Sequence, residues 1–301
     1  MSLPRQILDG STYLISRRTL ERMFLLRPDD FVTRVFLFCL AHAAARTGIL
    51  VHGFVCLSNH YHLVVTDPSG ALPLFMERFN GLVARALDAY RGHWECFFSP
   101  GSYSAVRLET PDDVLDKLIY VLTNPVSAGL VDHAKDWAGA ISARWAFGET
   151  REFARPTECF FDPDGCLPEK VRLTLAPLPG CEELAPGRLD ELVRERLIAR
   201  ETEVRAEFRE AGRSFLGMDG VMRFDPTDRP GTHEPRRGIN PRIAGKAADV
   251  RVGAIRRWLA FLEEYRQAWL RWLDGDRGAV FPFGTWLMRV RHRVACQPAP
   301  S

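Results

Sequence analysis

Residues 51–65 read VHGFVCLSNHYHLVV, two apolar runs that flank a Ser-Asn pair at positions 58–59. β-Branched and aromatic residues on both sides of a turn-forming pair are typical of a β-hairpin. Because side chains alternate between the two faces of a strand, His60 and His62 are predicted to point to one face and Tyr61 to the other. Two imidazoles on one face could share one metal ion.

A His-x-His pair alone is weak evidence for such a site, because most strand histidines are ordinary packing or surface residues. A second motif lies at residues 118–131, LIYVLTNPVSAGLV. Two acidic residues after Pro111 and the apolar spacing that follows predict a helix that Pro125 should end. Tyr120 and Asn124 would then lie four residues apart on one helical face. The ordinary alternative for Tyr120 is a half-buried helix tyrosine.

These two motifs, in this order, resemble those of the single-tyrosine HUH transposases, most closely the REP-associated tyrosine transposase branch of the IS200-like transposase family. The resemblance covers about residues 10 to 147. It implies an α+β, ferredoxin-like fold, with an antiparallel sheet, helices on one face and an added helix that carries the nucleophile. It further implies that His60 and His62 bind Mg²⁺ or Mn²⁺, that Asn124 completes the metal shell, and that Tyr120 is the nucleophile.

On this resemblance the protein would be a metal-dependent transposase that cuts and rejoins hairpin-bearing single-stranded DNA through a 5′-phosphotyrosine intermediate. Tyrosine is a weak nucleophile at its usual pKa of about 10, so the ion or a water must help to remove its proton. Two alternatives remain: a DNA- or RNA-binding regulator of the same fold that does not cut, and a metal-dependent phosphoesterase that uses water. No G-x-x-x-x-G-K-[ST] nucleotide-binding loop is present in the sequence.

The rest of the first half predicts a β-α-β-β-α-β order followed by the Tyr120 helix. A strand is expected at 12–16, a helix from Asp29 to about Gly48, a second helix at 72–90 and a short strand at 103–108. An open antiparallel sheet covers one face with helices and can leave the other accessible. The histidines and the Tyr120 helix are therefore predicted to meet over an open face.

Composition places the chain among ordinary cytoplasmic proteins. Its 301 residues are 46% hydrophobic and 26% charged, without an apolar run long enough to cross a bilayer or a signal-peptide core at the N-terminus. The seven cysteines form no C-x-x-C pair, which argues against a zinc knuckle and a disulfide framework. Cys39 and Cys56 lie in apolar runs and are predicted to be buried.

Three parts are predicted: a transposase domain at 1–150, a Pro-rich connector with little regular structure at 151–182, and a helical, basic region at 183–301. In the last part, residues 184–210 predict a solvated charged helix. Residues 250–273 predict a helix whose apolar stripe packs either within a small C-terminal domain or against the transposase domain. This stripe comprises Val252, Ile255, Trp258, Leu259, Leu262, Tyr265, Trp269 and Leu273.

Charge is unevenly distributed. Residues 223–301 carry a formal charge of +7 and residues 1–222 carry −5. The segment at 98–104, basic in the resembling family, holds no lysine or arginine here. Because phosphate contacts supply much of the affinity for nucleic acid, we expect the C-terminal region to provide them. The candidate DNA-binding residues are Arg107, Arg236, Arg237, Arg242, Lys246, Arg289, Arg291 and Arg293. The expected partner is single-stranded DNA, and a homodimer is an open alternative.

Overall fold

The structure is a computed structural model that describes residues 3–101, 103–181, 184–185, 187–232 and 241–299. The elements within these residues are, in chain order, β1 (Ser11–Arg18), α1 (Asp30–Thr47), β2 (Leu50–Cys56), β3 (His60–Asp67), α2 (Leu72–Arg91), β4 (Ser104–Leu108), α3 (Pro111–Ser127), β5 (Thr150–Ala154), β6 (Lys170–Thr174), α4 (Arg188–Glu210), α5 (Gly217–Arg223), β7 (Ile243–Ala244), α6 (Ala248–Leu273) and α7 (Leu287–His292).

The main sheet has the strand order β2-β3-β1-β4-β7. β2 and β3 form the predicted hairpin, and β1 pairs antiparallel with both β3 and β4. The predicted order of strands and helices through α3 is confirmed, and the chain is α+β with a mostly antiparallel sheet. β7 was not predicted: residues 243–244 lie in the region predicted to be helical, and they pair parallel to β4.

Alternation along the strands gives the sheet two differently covered faces. Tyr13, Tyr61 and Leu63 pack in one core with α1 and α2. Leu14 and Val64 pack in a second core with α3 and α4. The expectation of an open second face is therefore wrong, because α3 carries its own apolar stripe and buries it against the sheet.

Local capping explains where α1 and α3 begin. The Asp29 carboxylate accepts a hydrogen bond from the Val32 amide at 2.9 Å, and α1 ends at Gly48, whose φ of 71° is left-handed. Thr110 and Asp113 form a reciprocal capping box at the start of α3. These signals lie in the sequence, which is why both starts were predictable.

The predicted end of α3 was wrong. The helix continues through Pro125 to Ser127, and Gly129 follows in the left-handed region with φ of 73°. Proline removes one backbone donor and therefore one hydrogen bond to the preceding turn. Here the loss falls in the last turn, where Val126 is fully buried and tertiary packing can offset it.

The segment at 151–182 is not an irregular connector. β5 and β6 form an antiparallel two-stranded sheet, and β6 packs on α1 through Val171 and Leu173. The prolines that suggested irregular structure all lie outside the two strands. Proline between strands is compatible with a hairpin, whereas proline within a central strand is not.

α4 is only partly solvated, contrary to the prediction. Val193, Val204 and Phe208 are buried in the core that α4 shares with α3. A helix with seven acidic and six arginine side chains can still bury a narrow apolar face. This contact joins the C-terminal region to the helix that carries Tyr120.

α6 packs through a different face from the predicted one. Ala254, Phe261 and Ala268 are buried, whereas Val252, Ile255, Leu259 and Leu273 of the predicted stripe are exposed. The predicted stripe holds only large apolar residues, whereas two of the three buried positions are alanines, which are small and permit close approach of α6 to the rest of the chain. Tyr265 and Trp269 pack partly against Phe281 and Met288.

Cys39 and Cys56 are buried as predicted, and burial raises the pKa of both thiols. The described residues contain no helix that is both long enough and apolar enough to cross a membrane.

Candidate active site

β3 begins at His60 and places the His60 and His62 rings on one face of the sheet. Their ring centroids are 4.9 Å apart, with the ring planes nearly perpendicular. Tyr61 points the opposite way into the core, where its hydroxyl donates to Asn80 Oδ1 at 2.6 Å. The alternation predicted from the sequence is therefore present.

Both imidazoles are oriented through Nδ1. His62 Nδ1 lies 2.7 Å from Ser16 Oγ, and His60 Nδ1 lies 2.7 Å from Asn59 Oδ1. Burial, and then the nearby His60 and Arg18, hold the pKa of His62 well below its usual value. His62 is therefore neutral near pH 7, which is the form that can bind a metal ion.

α3 brings Tyr120 to this pair. The Tyr120 and His62 ring centroids lie 5.4 Å apart, and Tyr120 is 47% exposed. Lys117 Nζ lies 5.8 Å from the centre of the Tyr120 ring. A phenol, two imidazoles and a lysine ammonium therefore come together where α3 crosses the start of β3.

Asn124 lies one helical turn beyond Tyr120 and is 8% exposed. Among the described residues its side chain has no hydrogen-bond partner, although its backbone carbonyl accepts from Ala128. The amide nitrogen and oxygen still contact solvent, so the oxygen is available to a ligand. Over the described part of the chain, no group of three or more His, Cys, Asp or Glu side chains could hold a metal.

β2 sets how closely α3 approaches the sheet. A Cβ atom on Gly53 would overlap Leu118 Cδ1, so the absence of a side chain lets α3 pack against β2 two residues before Tyr120. The fully buried Trp137 donates from Nε1 to the Cys56 carbonyl at 2.9 Å. The Phe54 amide donates to Ser142 Oγ at 3.0 Å. These contacts fix the position of β2 and therefore the surface on which α3 packs.

Sequence reasoning missed three residues at the site: Ser16, Arg18 and Lys117. Ser16 and Arg18 stand opposite His62 and His60 in the β1–β3 register, which places them on the histidine face. Their two-residue spacing at the end of β1 matches that of the histidines and could have signalled this. Lys117 lies three residues before Tyr120, within one helical turn.

Two candidate DNA-binding residues are held by ion pairs within the protein, and a third is half-buried. Arg107 Nε pairs with Glu109 Oε1 at 2.6 Å, and Arg107 stands opposite Tyr13, on the sheet face away from the histidines. Arg242 is half-buried, and burial lowers the pKa of its guanidinium. Lys246 pairs with Asp116 of α3.

The other candidates are more open. Arg289 and Arg291 of α7, with Arg293 just after it, are exposed to solvent. Arg236 and Arg237 lie outside the described residues. The segment before β4 that lacks its own basic residues is contacted by Arg17, whose Nη1 donates to the Gly101 carbonyl at 2.7 Å. β1 therefore supplies positive charge next to this segment.

The sequence matches no protein-family model, and no curated protein sequence is significantly similar to it. Several solved structures are similar to parts of the chain, among them the following two. One is a REP-associated tyrosine transposase bound to a REP hairpin, with 16% identity over 46% of this chain and 79% of that one, at a TM-score of 0.39. The other is a candidate transposase from Deinococcus radiodurans R1, with 20% identity over 35% of this chain and 85% of that one, at a TM-score of 0.28. Similarity at this level bears on neither the branch nor the activity of the chain.

Proposed function

We propose that the protein is a metal-dependent transposase that cuts and rejoins single-stranded DNA, with Tyr120 as the nucleophile. The observation that carries this proposal is the meeting of Tyr120 with the histidine pair, at 5.4 Å between the Tyr120 and His62 ring centroids. Tyr120 is exposed, so a DNA strand can reach its hydroxyl. The order β2-β3-β1-β4, with α1 and α2 on one face, supports a ferredoxin-like arrangement.

The donor set fits a divalent cation. His60 and His62 would bind it through Nε2, because Nδ1 of each ring is engaged by Asn59 or Ser16. Asn124 would supply an amide oxygen. Two imidazoles and one amide oxygen leave coordination positions for phosphate and water. With the oxygen atoms of a bound substrate, this ligand set suits Mg²⁺ or Mn²⁺. When bound, the ion would offset the negative charge that develops on the phosphate.

In the proposed reaction, Tyr120 acts as the nucleophile and the residues around it position the histidine pair and the phosphate. Tyr120 Oη attacks the phosphorus and its proton passes to water. The bond from phosphorus to the 3′ oxygen breaks, and that oxygen takes a proton from water to give a free 3′-OH. Ser16 holds the His62 ring, and Lys117 and Arg18 offer positive charge to the phosphate. Because one phosphodiester replaces another, the step is reversible without a nucleotide cofactor.

The direct test is formation of a covalent adduct on a hairpin-bearing single-stranded oligonucleotide with Mn²⁺, read on a denaturing gel. We expect an adduct with the wild type and none with Tyr120→Phe. Tyr90→Phe is the matched control, since Tyr90 is also a helix tyrosine exposed by more than a third but packs on Phe31 of α1. The control should form the adduct at the wild-type rate.

The same gel separates the alternatives. A regulator that does not cut would bind the oligonucleotide and leave it intact. A phosphoesterase that uses water would cut it without an adduct and would tolerate Tyr120→Phe. Either result would overturn the proposal. A cytoplasmic location remains a prediction from the sequence.

A further inference from the structure

A groove between α3 and α4 opens beside Tyr120. It has a volume of about 480 Å³, within the range of ligand sites. Leu115 and Ile119 of α3 and Ala199 of α4 give it apolar walls, and Tyr120 stands at its edge. A planar, largely apolar group could therefore lie next to the Tyr120 hydroxyl.

The two arginines that line this groove differ in whether their guanidinium groups already have ion-pair partners. Arg200 is engaged by Glu203 and Glu207 at 2.9 and 3.4 Å. Arg196 is exposed, and among the described residues its guanidinium has no hydrogen bond or ion pair. An arginine without a partner beside an apolar wall suits a nucleotide, because the guanidinium can bind phosphate while the wall receives the base.

We infer that the α3–α4 groove binds one nucleotide of the single strand, adjacent to the phosphate that Tyr120 attacks. The base lies against Leu115, Ile119 and Ala199, and Arg196 contacts the phosphate of that nucleotide. This inference rests on the proposed function. It also gives α4, from the C-terminal region, a direct part in substrate binding.

The test measures the affinity of the full chain for a hairpin-bearing single-stranded oligonucleotide by fluorescence anisotropy in metal-free buffer. We expect Arg196→Ala to weaken binding about 5- to 10-fold and to reduce the salt slope by about 0.7, the value for one single-strand phosphate contact. Arg209→Ala, an exposed arginine on the same helix away from the groove, should stay within about twofold.

A second variant tests the base. Ala199→Leu narrows the groove and keeps a good helix former at an exposed position. It should weaken binding of an intact oligonucleotide, and the effect should disappear when one nucleotide next to the cleavage point lacks its base. If both variants bind like the wild type while the wild type still forms the Tyr120 adduct, the groove assignment is wrong and the proposed function stands. If no adduct forms, the proposed function fails whatever the affinities are.

An independent feature lies on α6. One side of α6, exposed over most of its length, carries residues spaced alternately by three and four, the a and d positions of a coiled-coil seam. They are Val252, Ile255, Leu259, Leu262, Arg266, Trp269 and Leu273. Leu259 and Leu273 are each 51% exposed, whereas Leu262 is half-buried and Trp269 packs partly against Phe281 and Met288 at the border of the seam. The buried contacts of α6 are made by Ala254, Phe261 and Ala268. A seam of this length on an exposed helix face is typical of helix pairing.

The position of Arg266 selects the direction of pairing. In a parallel pair of identical helices, each seam residue faces itself, so Arg266 would face Arg266 of the second copy inside the contact. In an antiparallel pair centred between Leu259 and Leu262, Leu259 of one copy faces Leu262 of the second copy, and Leu262 faces Leu259. Arg266 then faces Ile255 and is not placed against a like charge.

The charges beside the seam select the register. In the centred antiparallel pair, Arg256 lies beside Glu263 of the second copy, and the symmetry produces this pair twice. A shift of one heptad in either direction would bring Arg256 beside Arg256, or Glu263 beside Glu263. Like charges in such positions are destabilising. The apolar seam and the flanking charges therefore both favour the centred antiparallel pair.

We propose that α6 pairs antiparallel with α6 of a second copy of this chain. Sedimentation equilibrium of the full chain should show a dimer, and Leu259→Lys should make it monomeric without changing the helix content, because Leu259 is exposed. Val280→Lys is the control, since Val280 is 47% exposed and lies outside the seam; it should remain dimeric.

Charge reversal tests the register. Arg256→Glu alone and Glu263→Arg alone should each raise the dimer dissociation constant at least about 10-fold, and the double variant should restore it. A monomeric wild type, or a dimer that survives Leu259→Lys, would overturn the proposal. Single reversals that leave the dissociation constant unchanged would also overturn it.

Discussion

At the scale of single residues, Ser16 is expected to act as a positioning residue for His62. Its hydroxyl lies 2.7 Å from His62 Nδ1, and loss of such an outer contact typically weakens metal binding 10- to 100-fold. Ser16→Ala should therefore weaken Mn²⁺ binding about 10-fold in a calorimetric titration. Ser104→Ala is the control, because Ser104 is the register partner of Ser16 on β4. Equal Mn²⁺ affinity in wild type and Ser16→Ala would contradict this role.

His42 should make stability depend on pH. Burial, together with the nearby Arg46 and Arg78, lowers the pKa of His42 below its usual 6.5. Between the two pKa values the unfolded chain binds a proton that the folded chain does not, so the free energy of unfolding falls as pH drops below about 6.5. The His42→Gln variant lacks this titrating group. Between pH 7.5 and 5.5 its free energy of unfolding, measured by urea denaturation, should fall less than that of the wild type. Parallel pH profiles for the two proteins would exclude this effect.

How far the sequence predicts the candidate site depends on whether a contact is local. His60 with His62 and Tyr120 with Asn124 are recognisable because strand and helix periods place each pair on one face. Ser16 and Arg18 reach the site through pairing between β1 and β3, a register that spans more than forty residues of sequence. The α3–α4 groove exists only because α4 packs on α3, and no local sequence pattern specifies that contact.

At the scale of elements, the contact of β2 with α3 should show energetic coupling. Gly53→Ala would push against Leu118 and should cost about 1–3 kcal/mol, the typical cost of overpacking a core. In a Leu118→Ala background the space is already open, so the same change should cost less than half as much. Urea denaturation of the four proteins measures this double-mutant cycle. Additive costs would show that Gly53 does not set the approach of α3.

Two elements were misjudged from the sequence, each for its own reason. The β5–β6 hairpin was obscured by prolines that lie outside its strands. The buried face of α6 was misassigned because large apolar residues were weighted above the alanines that make the contact. Capping signals at Asp29 and Thr110, in contrast, act within one turn and were readable. The helices and strands through α3 followed from local chemistry, whereas the buried faces of α4 and α6 depend on neighbours distant in sequence.

At the scale of the whole molecule, the uneven charge should be visible in DNA binding. Residues 1–222 carry −5 and residues 223–301 carry +7, yet cutting the chain near residue 150 would also strip α4 from α3. The charge must therefore be tested in the full chain. Replacing Arg289, Arg291 and Arg293 by alanine removes three exposed cations without touching a described buried contact.

If these three arginines contact phosphates, the triple variant should bind single-stranded DNA more weakly, with a salt slope shallower by up to about 2, because each single-strand phosphate contact contributes about 0.7. Replacing Arg78, Arg144 and Arg172 by alanine makes the same charge change on exposed positions of the acidic half. Equal slope changes in the two triple variants would mean that only net charge matters. A change confined to the C-terminal variant would place phosphate contacts at α7, because long-range attraction depends on total charge while counterion release depends on the contacts themselves.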